Sequence, residues 1–269
     1  MSWRPIAGDA AGSVPGGGAP SGSSLSPLRE CLLLWSLVMV GLVLAKLVLD
    51  PSLGSLVAKI PGLNGLFSPK TVAAGLFLYL PLWAMRRRNE FPEDYGARTD
   101  GWRRSVKLYL ILSLLTLPLY AVGFYLYARF SPQLPWQVAR SLSPYQPRPD
   151  VAFRWPTRFP LHVVDQLLVV ALPEEFFYRG YLQQRLESQF GPGRPMLGIR
   201  VGRGFLLTQV LFALGHLVEP YPWRLAVFFP ALLFGWLRAR TGTLLSGVLY
   251  HATCNLAVLV LEASILGLR

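Results

Sequence analysis

Long apolar runs separated by short polar loops set the pattern of this chain. Cys31 to Leu49 is apolar almost throughout. About 20 such residues, rising 1.5 Å each, cross a hydrocarbon layer about 30 Å thick, so this run predicts a first transmembrane helix. Six more candidates follow, roughly at 70 to 85, 107 to 128, 161 to 187, 204 to 219, 223 to 239 and 243 to 267; the second and fifth of the seven are short. Between the third and fourth, Ser131 to Pro160 holds seven prolines with Trp136 and Trp155. Proline breaks a spanning helix, while Trp and Arg suit the headgroup layer, so this stretch reads as an interfacial loop. Leu53 to Phe67, interrupted by Pro61-Gly62 and Asn64-Gly65, reads as a shorter interfacial or re-entrant piece. No internal repeat is visible, and the predicted fold class is all-α, a polytopic transmembrane helix bundle.

Composition agrees with the pattern. The 269 residues are 52% hydrophobic and 15% charged, with a mean hydropathy of +0.40. Soluble domains carry about a quarter charged residues, so this composition argues against a soluble one-core enzyme. Residues 1 to 28 contain 20 Gly, Ala, Ser or Pro and no apolar period, which predicts a disordered tail. It does not read as a signal peptide. The following run is too long for an h-region, and Asp50-Pro51-Ser52-Leu53 offers no small-x-small cleavage site. The net charge of +12 and pI of about 10.2 bring nucleic acid to mind, but the basic residues are spread between apolar runs and no nucleic-acid motif accompanies them. With the N-terminus inside, 15 Lys and Arg fall in inner loops and 9 in outer ones, an N-in arrangement by the positive-inside rule. The Arg86-Arg87-Arg88 cluster is suited to anionic lipid. Cys31 and Cys254, both in apolar runs, exclude a disulfide-stapled scaffold.

The informative residues are the polar ones inside the runs. The fourth carries Pro173-Glu174-Glu175-Phe176-Phe177-Tyr178-Arg179-Gly180. Each charge at the middle of a span costs roughly 2.5 to 3.5 kcal/mol, so Glu174, Glu175 and Arg179 together ask for about 8 kcal/mol, which implies a purpose. Glu175 and Arg179 are four apart with the acid first, the favourable order for a same-face ion pair. Glu174 lies about 100° round the helix with Tyr178 at i+4. One carboxylate is therefore expected to be neutralised and the other free for acid–base work. Pro173 is expected to bend the helix and open a polar pocket. His216 in the fifth run and His251 in the seventh repeat the anomaly, and His251 shares a helix face with Asn255. Counted from the inner ends, Glu174, His216 and His251 lie on the order of 12 to 20 Å deep, so the three can meet. His162, at the outer end of a span, reads as interfacial.

Glu174-Glu175-x-x-x-Arg179, Phe212-x-x-x-His216 and His251-x-x-x-Asn255, in this order on separate apolar helices, resemble the CAAX protease and bacteriocin-processing (CPBP) family of intramembrane glutamic endopeptidases. The resemblance covers about residues 161 to 260. It implies that Glu174 is the general base, activating water with His216, that His251 with Asn255 holds the developing oxyanion, and that Glu175 and Arg179 support the site. The family is generally given an eight-span core, so the resemblance implies seven to eight spans here. The tail and the E-E-F-F-Y-R-G-Y-L block are similar to the bacterial myxosortases. That implies removal of a C-terminal sorting signal from exported proteins, and a place in the bacterial inner membrane. The expected organisation is a tail over 1–28, membrane helices and interfacial loops over 29–160, and a catalytic membrane core over 161–269.

Other chemistries fit some of the same residues. Glu174, His216 and His251 are acceptable zinc ligands in type, although no HExxH pair fixes two of them on one helix. Cys254 is three residues from His251 and could serve as a nucleophile. A transporter or a non-catalytic scaffold would use the buried Glu, Arg and His as an ion relay. The protease reading implies no cofactor and two kinds of partner: a membrane-anchored protein or peptide as substrate, and anionic lipid at the basic loops.

Overall fold

The computed structural model describes residues 25–48, 68–130, 133–135, 137–138 and 152–266. The expected tail over residues 1–24, the piece at 53–67 and most of the loop at 131–160 lie outside these. Among the described residues, a helix falls at the position of each of the seven apolar runs, some of them shorter than a spanning helix. These helices are α1 (Pro27–Val48), α2 (Pro69–Arg87), α3 (Trp102–Phe130), α4 (159–190), α5 (Arg203–Gly215), α6 (Phe228–Thr241) and α7 (Leu245–Leu261). α1 begins at Pro27, so the first helix takes in the last two residues of the expected tail. α2 opens on a capping box in which Ser68 Oγ accepts from the Thr71 amide at 3.3 Å and Thr71 Oγ1 accepts from the Ser68 amide at 3.0 Å. Among the described residues, the helices are joined by a hairpin of β1 (Arg194–Met196) and β2 (Ile199–Val201), with Met196 opposite Ile199. Its two-residue turn holds Leu197 and Gly198 at φ of 50° and 73°. Gly198 takes that left-handed geometry without strain, and Leu197 is held there by the short loop.

Among the described residues, three helical stretches are long and apolar enough to cross a membrane: Pro27–Leu47, Trp102–Phe130 and Leu245–Ile265. Leu114, Leu119 and Val122 on α3 are exposed. A contiguous apolar face of that kind is unstable in water and suited to lipid. The core lies where α4 meets its neighbours. Phe177, Tyr178, Tyr181 and Leu182 pack with Phe212 of α5, Phe234 and Leu237 of α6 and Tyr250 of α7. Helix α1 packs on α2 and on the end of α4, and α7 packs on α3 and α6.

Helix α4 is a single rod of mixed pitch. Asp165–Ala171 and Phe176–Leu182 are π-helical, flanking an α-helical Leu172–Glu175. Proline donates no hydrogen bond, and its ring crowds the carbonyl four residues back. The wide turn directly before Pro173, closed by the Leu172 amide on the Leu167 carbonyl, replaces i→i−4 pairing with i→i−5 and removes that conflict. The anticipated disturbance at Pro173 thus takes the form of a π segment rather than a break.

An ionic cluster ties the N-terminal helices to the far end of α4. Glu30 of α1 pairs with Arg88, just after α2, and accepts from Arg185 Nη2 at 2.9 Å and from the Tyr181 hydroxyl at 2.6 Å. Arg88 Nε donates to Glu90 at 2.8 Å, and the Tyr95 hydroxyl donates to the same carboxylate at 2.6 Å. Burial and the Glu90 carboxylate push the Tyr95 phenol up to about 12.

Candidate active site

Glu175 and Arg179 are fully buried and form the ion pair that their spacing predicts, with Arg179 Nη1 donating to Oε1 at 3.0 Å. Desolvating two charges is costly unless their remaining groups are satisfied. Arg179 Nη2 donates to Gln209 Oε1 at 3.3 Å and to the Ala231 carbonyl at 3.4 Å. Its guanidinium lies 4.1 Å from the Phe212 ring centre and 4.9 Å from that of Phe234, so cation–π attraction offsets part of the lost hydration.

Glu175 has a second partner, from α7. His251 Nδ1 lies 2.9 Å from the same Oε1. The carboxylate oxygen accepts from Arg179 there, so Nδ1 is the protonated nitrogen of that pair. His251 is buried, stacked on Phe234 with ring centres 4.6 Å apart and an interplanar angle of 14°. Its other nitrogen, Nε2, faces Glu174 Oε2 at 3.9 Å. That gap exceeds a direct hydrogen bond and suits one bridging oxygen atom. The Glu174 side chain keeps 18% exposure against 0% for Glu175. Adjacent carboxylates therefore occupy opposite environments, one enclosed and paired with arginine, the other open and facing an imidazole.

His216, which follows directly on the end of α5, donates from Nδ1 to the Phe212 carbonyl at 2.9 Å. A carbonyl only accepts, so Nδ1 carries the proton and neutral His216 presents a bare Nε2. The Phe212 ring touches both imidazoles, at centroid distances of 4.7 Å to His216 and 5.9 Å to His251. Glu174, His216 and His251 thus converge from α4, α5 and α7. Asn255, one turn beyond His251, donates from Nδ2 to Gln166 Oε1 at 2.8 Å, a bond that crosses from α7 to the first π turn of α4.

Four supporting positions lie outside the sequence motifs. Gln209 and Gln166 are buried amides, each accepting from a side chain on another helix; being polar within apolar helices was their sole signal. Phe234 stacks on His251 and resembles any core aromatic in the sequence. Gly247 matters by what it lacks: a Cβ there would fall 2.8 Å from Glu175 Oε2, so close approach of α7 to the buried carboxylate requires glycine. That Oε2 is itself buried without a hydrogen-bond partner among the described residues.

Among the described residues no group of three or more His, Cys, Asp or Glu is arranged to hold a metal ion. Cys254 is half-buried and bears a free thiol.

Apolar helices thus enclose a carboxylate–imidazole–guanidinium chain beside an open carboxylate. Residues 156–257 match the family model described as Type II CAAX prenyl endopeptidase Rce1-like. The matched stretch runs from just before α4 into α7 and contains every residue of the site. The match supports the CPBP family and a CAAX-type protease, and with the exposed apolar helices it supports an integral membrane protein. No curated protein and no solved structure gives a significant match to the chain.

Proposed function

We propose that this protein is an intramembrane glutamic endopeptidase that hydrolyses a peptide bond in a membrane-anchored substrate. The observation that carries the reading is the division of labour between the glutamates. Glu175 is neutralised by Arg179, and Glu174 stands open 3.9 Å from His251 Nε2. A water between Glu174 and the bare His216 Nε2 would be held by two acceptors, one for each hydrogen. As its oxygen attacks the substrate carbonyl, one proton passes to Glu174 and the carbonyl π electrons move onto the oxygen. Collapse of the tetrahedral intermediate breaks the C–N bond, and Glu174 returns the proton to the leaving amine.

The developing oxyanion needs donors. Asn255 has a second amide N–H besides the one given to Gln166. His251 donates from Nε2 only when doubly protonated, because Nδ1–H is already committed to Glu175. Glu175 thus acts behind His251 as a carboxylate that orients the ring and stabilises its positive charge, the same logic as in a catalytic triad. A dry site makes each such donor worth several kcal/mol.

The substrate class follows from the setting: a chain reaching this site must itself lie in or at the bilayer. Removal of a C-terminal sorting signal from exported proteins, at the bacterial inner membrane with the N-terminus inside, is the reading we favour. In cells lacking the protein, mass spectrometry of membrane-protein C-termini should reveal accumulated precursors, and restoring the wild-type chain should clear them. Identical C-termini with and without the protein would contradict the proposal.

A further inference from the structure

On the side of Arg179 away from the catalytic glutamate, a cavity of about 300 Å³ is walled by Arg179, Gln183, Gln184, Glu187, Arg200 and Arg238 together with Ile199 and Ala239. Its walls come from the last turns of α4, from β2 and from the end of α6. The hairpin wall is fixed rather than loose, because Trp236 Nε1 donates to the Leu197 carbonyl at 3.0 Å and Arg240 Nη1 to that of Gly198 at 2.9 Å.

The lining is built for negative charge. Three arginines line it, Arg179 fully buried behind the wall, against one carboxylate, Glu187, or two when Glu175 beside Arg179 is included. Arg179 Nε and Arg238 Nε are buried without an acceptor among the described residues. Arg238 Nη2 is held by Gln184 at 3.1 Å, Arg200 Nη1 by the Gly193 carbonyl at 3.0 Å, and Gln183 Nε2 by Glu187 at 3.0 Å. These bonds position the side chains and leave guanidinium donors over. Buried donors without acceptors are destabilising, and an oxyanion relieves that cost.

We propose that this cavity binds a phosphate group, presented by an anionic lipid headgroup or as the free ion. Arg179 then belongs to two sites at once, since its Nη1 holds Glu175 and its flank lines the phosphate cavity. The proposal does not rest on the protease reading.

The test uses the purified full-length protein in a zwitterionic detergent, with thermal unfolding followed while inorganic phosphate replaces chloride at constant ionic strength. A ligand of the native state raises the unfolding temperature saturably. Arg200→Gln and Arg238→Gln should each raise the half-saturating phosphate concentration about tenfold, the loss of one charge-assisted hydrogen bond. Glu187→Gln, which removes the opposing carboxylate, should lower it severalfold, an effect a merely structural role would not produce. Native mass spectrometry after reconstitution with phosphatidylglycerol and phosphatidylcholine separates the sources. Retention of the anionic lipid that both arginine variants lose assigns a headgroup. A saturable phosphate response without lipid retention assigns the free ion. Neither response, or responses that the three variants leave unchanged, overturns the proposal.

Discussion

Glu174 and Glu175 differ by about 100° of helix rotation, and that angle decides their chemistry. Glu175 Oε1 accepts from both Arg179 and His251, whereas Glu174 meets His251 across a 3.9 Å gap. Removing one member of a buried ion pair strands the other, at about 3–5 kcal/mol. Arg179→Met is therefore expected to lower unfolding stability by about that amount, measured by denaturant or thermal unfolding in detergent. Wild-type stability in that variant would contradict the described packing. Gly247→Ala drives a methyl group against Glu175 Oε2 and should cost about 1–3 kcal/mol, the usual range for overpacking, read in the same assay. The i, i+4 pair of Glu175 with Arg179 was legible in the sequence because a helix fixes that geometry locally. The bond from His251 to Glu175 was not, since 76 positions separate them and only the packing of α7 on α4 brings them together. Nor was the tautomer of His216, which rests on a carbonyl of its own helix.

At the scale of elements, the ends of α1, α2 and α4 are joined by the cluster of Glu30, Arg88, Glu90, Tyr95, Tyr181 and Arg185. Glu30→Ala leaves Arg88 and Arg185 without their shared carboxylate. It should lower stability by about 3 kcal/mol and speed proteolytic release of α1, read by limited digestion and mass spectrometry. Tyr95 adds a pH dependence. Its phenol is raised to about 12 in the folded chain, from an ordinary value of 10. Above pH 10 the unfolded chain releases that proton while the folded chain keeps it, so stability falls as pH rises from 10 to 12. Tyr95→Phe should flatten that part of the stability curve; an unchanged slope would show that Tyr95 does not titrate as described. Apolar length located the seven helices, of which three among the described residues are long and apolar enough to cross a membrane. The π turns of α4 and the hairpin after it were missed. Pitch at Pro173 depends on tertiary packing, and Met196-Leu197-Gly198-Ile199 carries no alternation long enough to mark strands.

For the whole molecule, helices with lipid-suited outer faces enclose a small polar interior where α4, α5 and α7 meet, and the proposed hydrolysis belongs there. The low charge of the chain concentrates its meaning, since the buried Glu175 and Arg179 shape the pocket that leaves Glu174 open. The central claim is that Glu174 performs the chemistry while Glu175 holds the architecture. The most direct measurement compares Glu174→Gln with Glu175→Gln, each restored to cells lacking the protein, with precursor C-termini read by mass spectrometry and stability read on the purified chains. The account predicts that Glu174→Gln keeps wild-type stability and leaves precursors uncleaved, whereas Glu175→Gln is destabilised. Normal cleavage by a stably folded Glu174→Gln protein would contradict it.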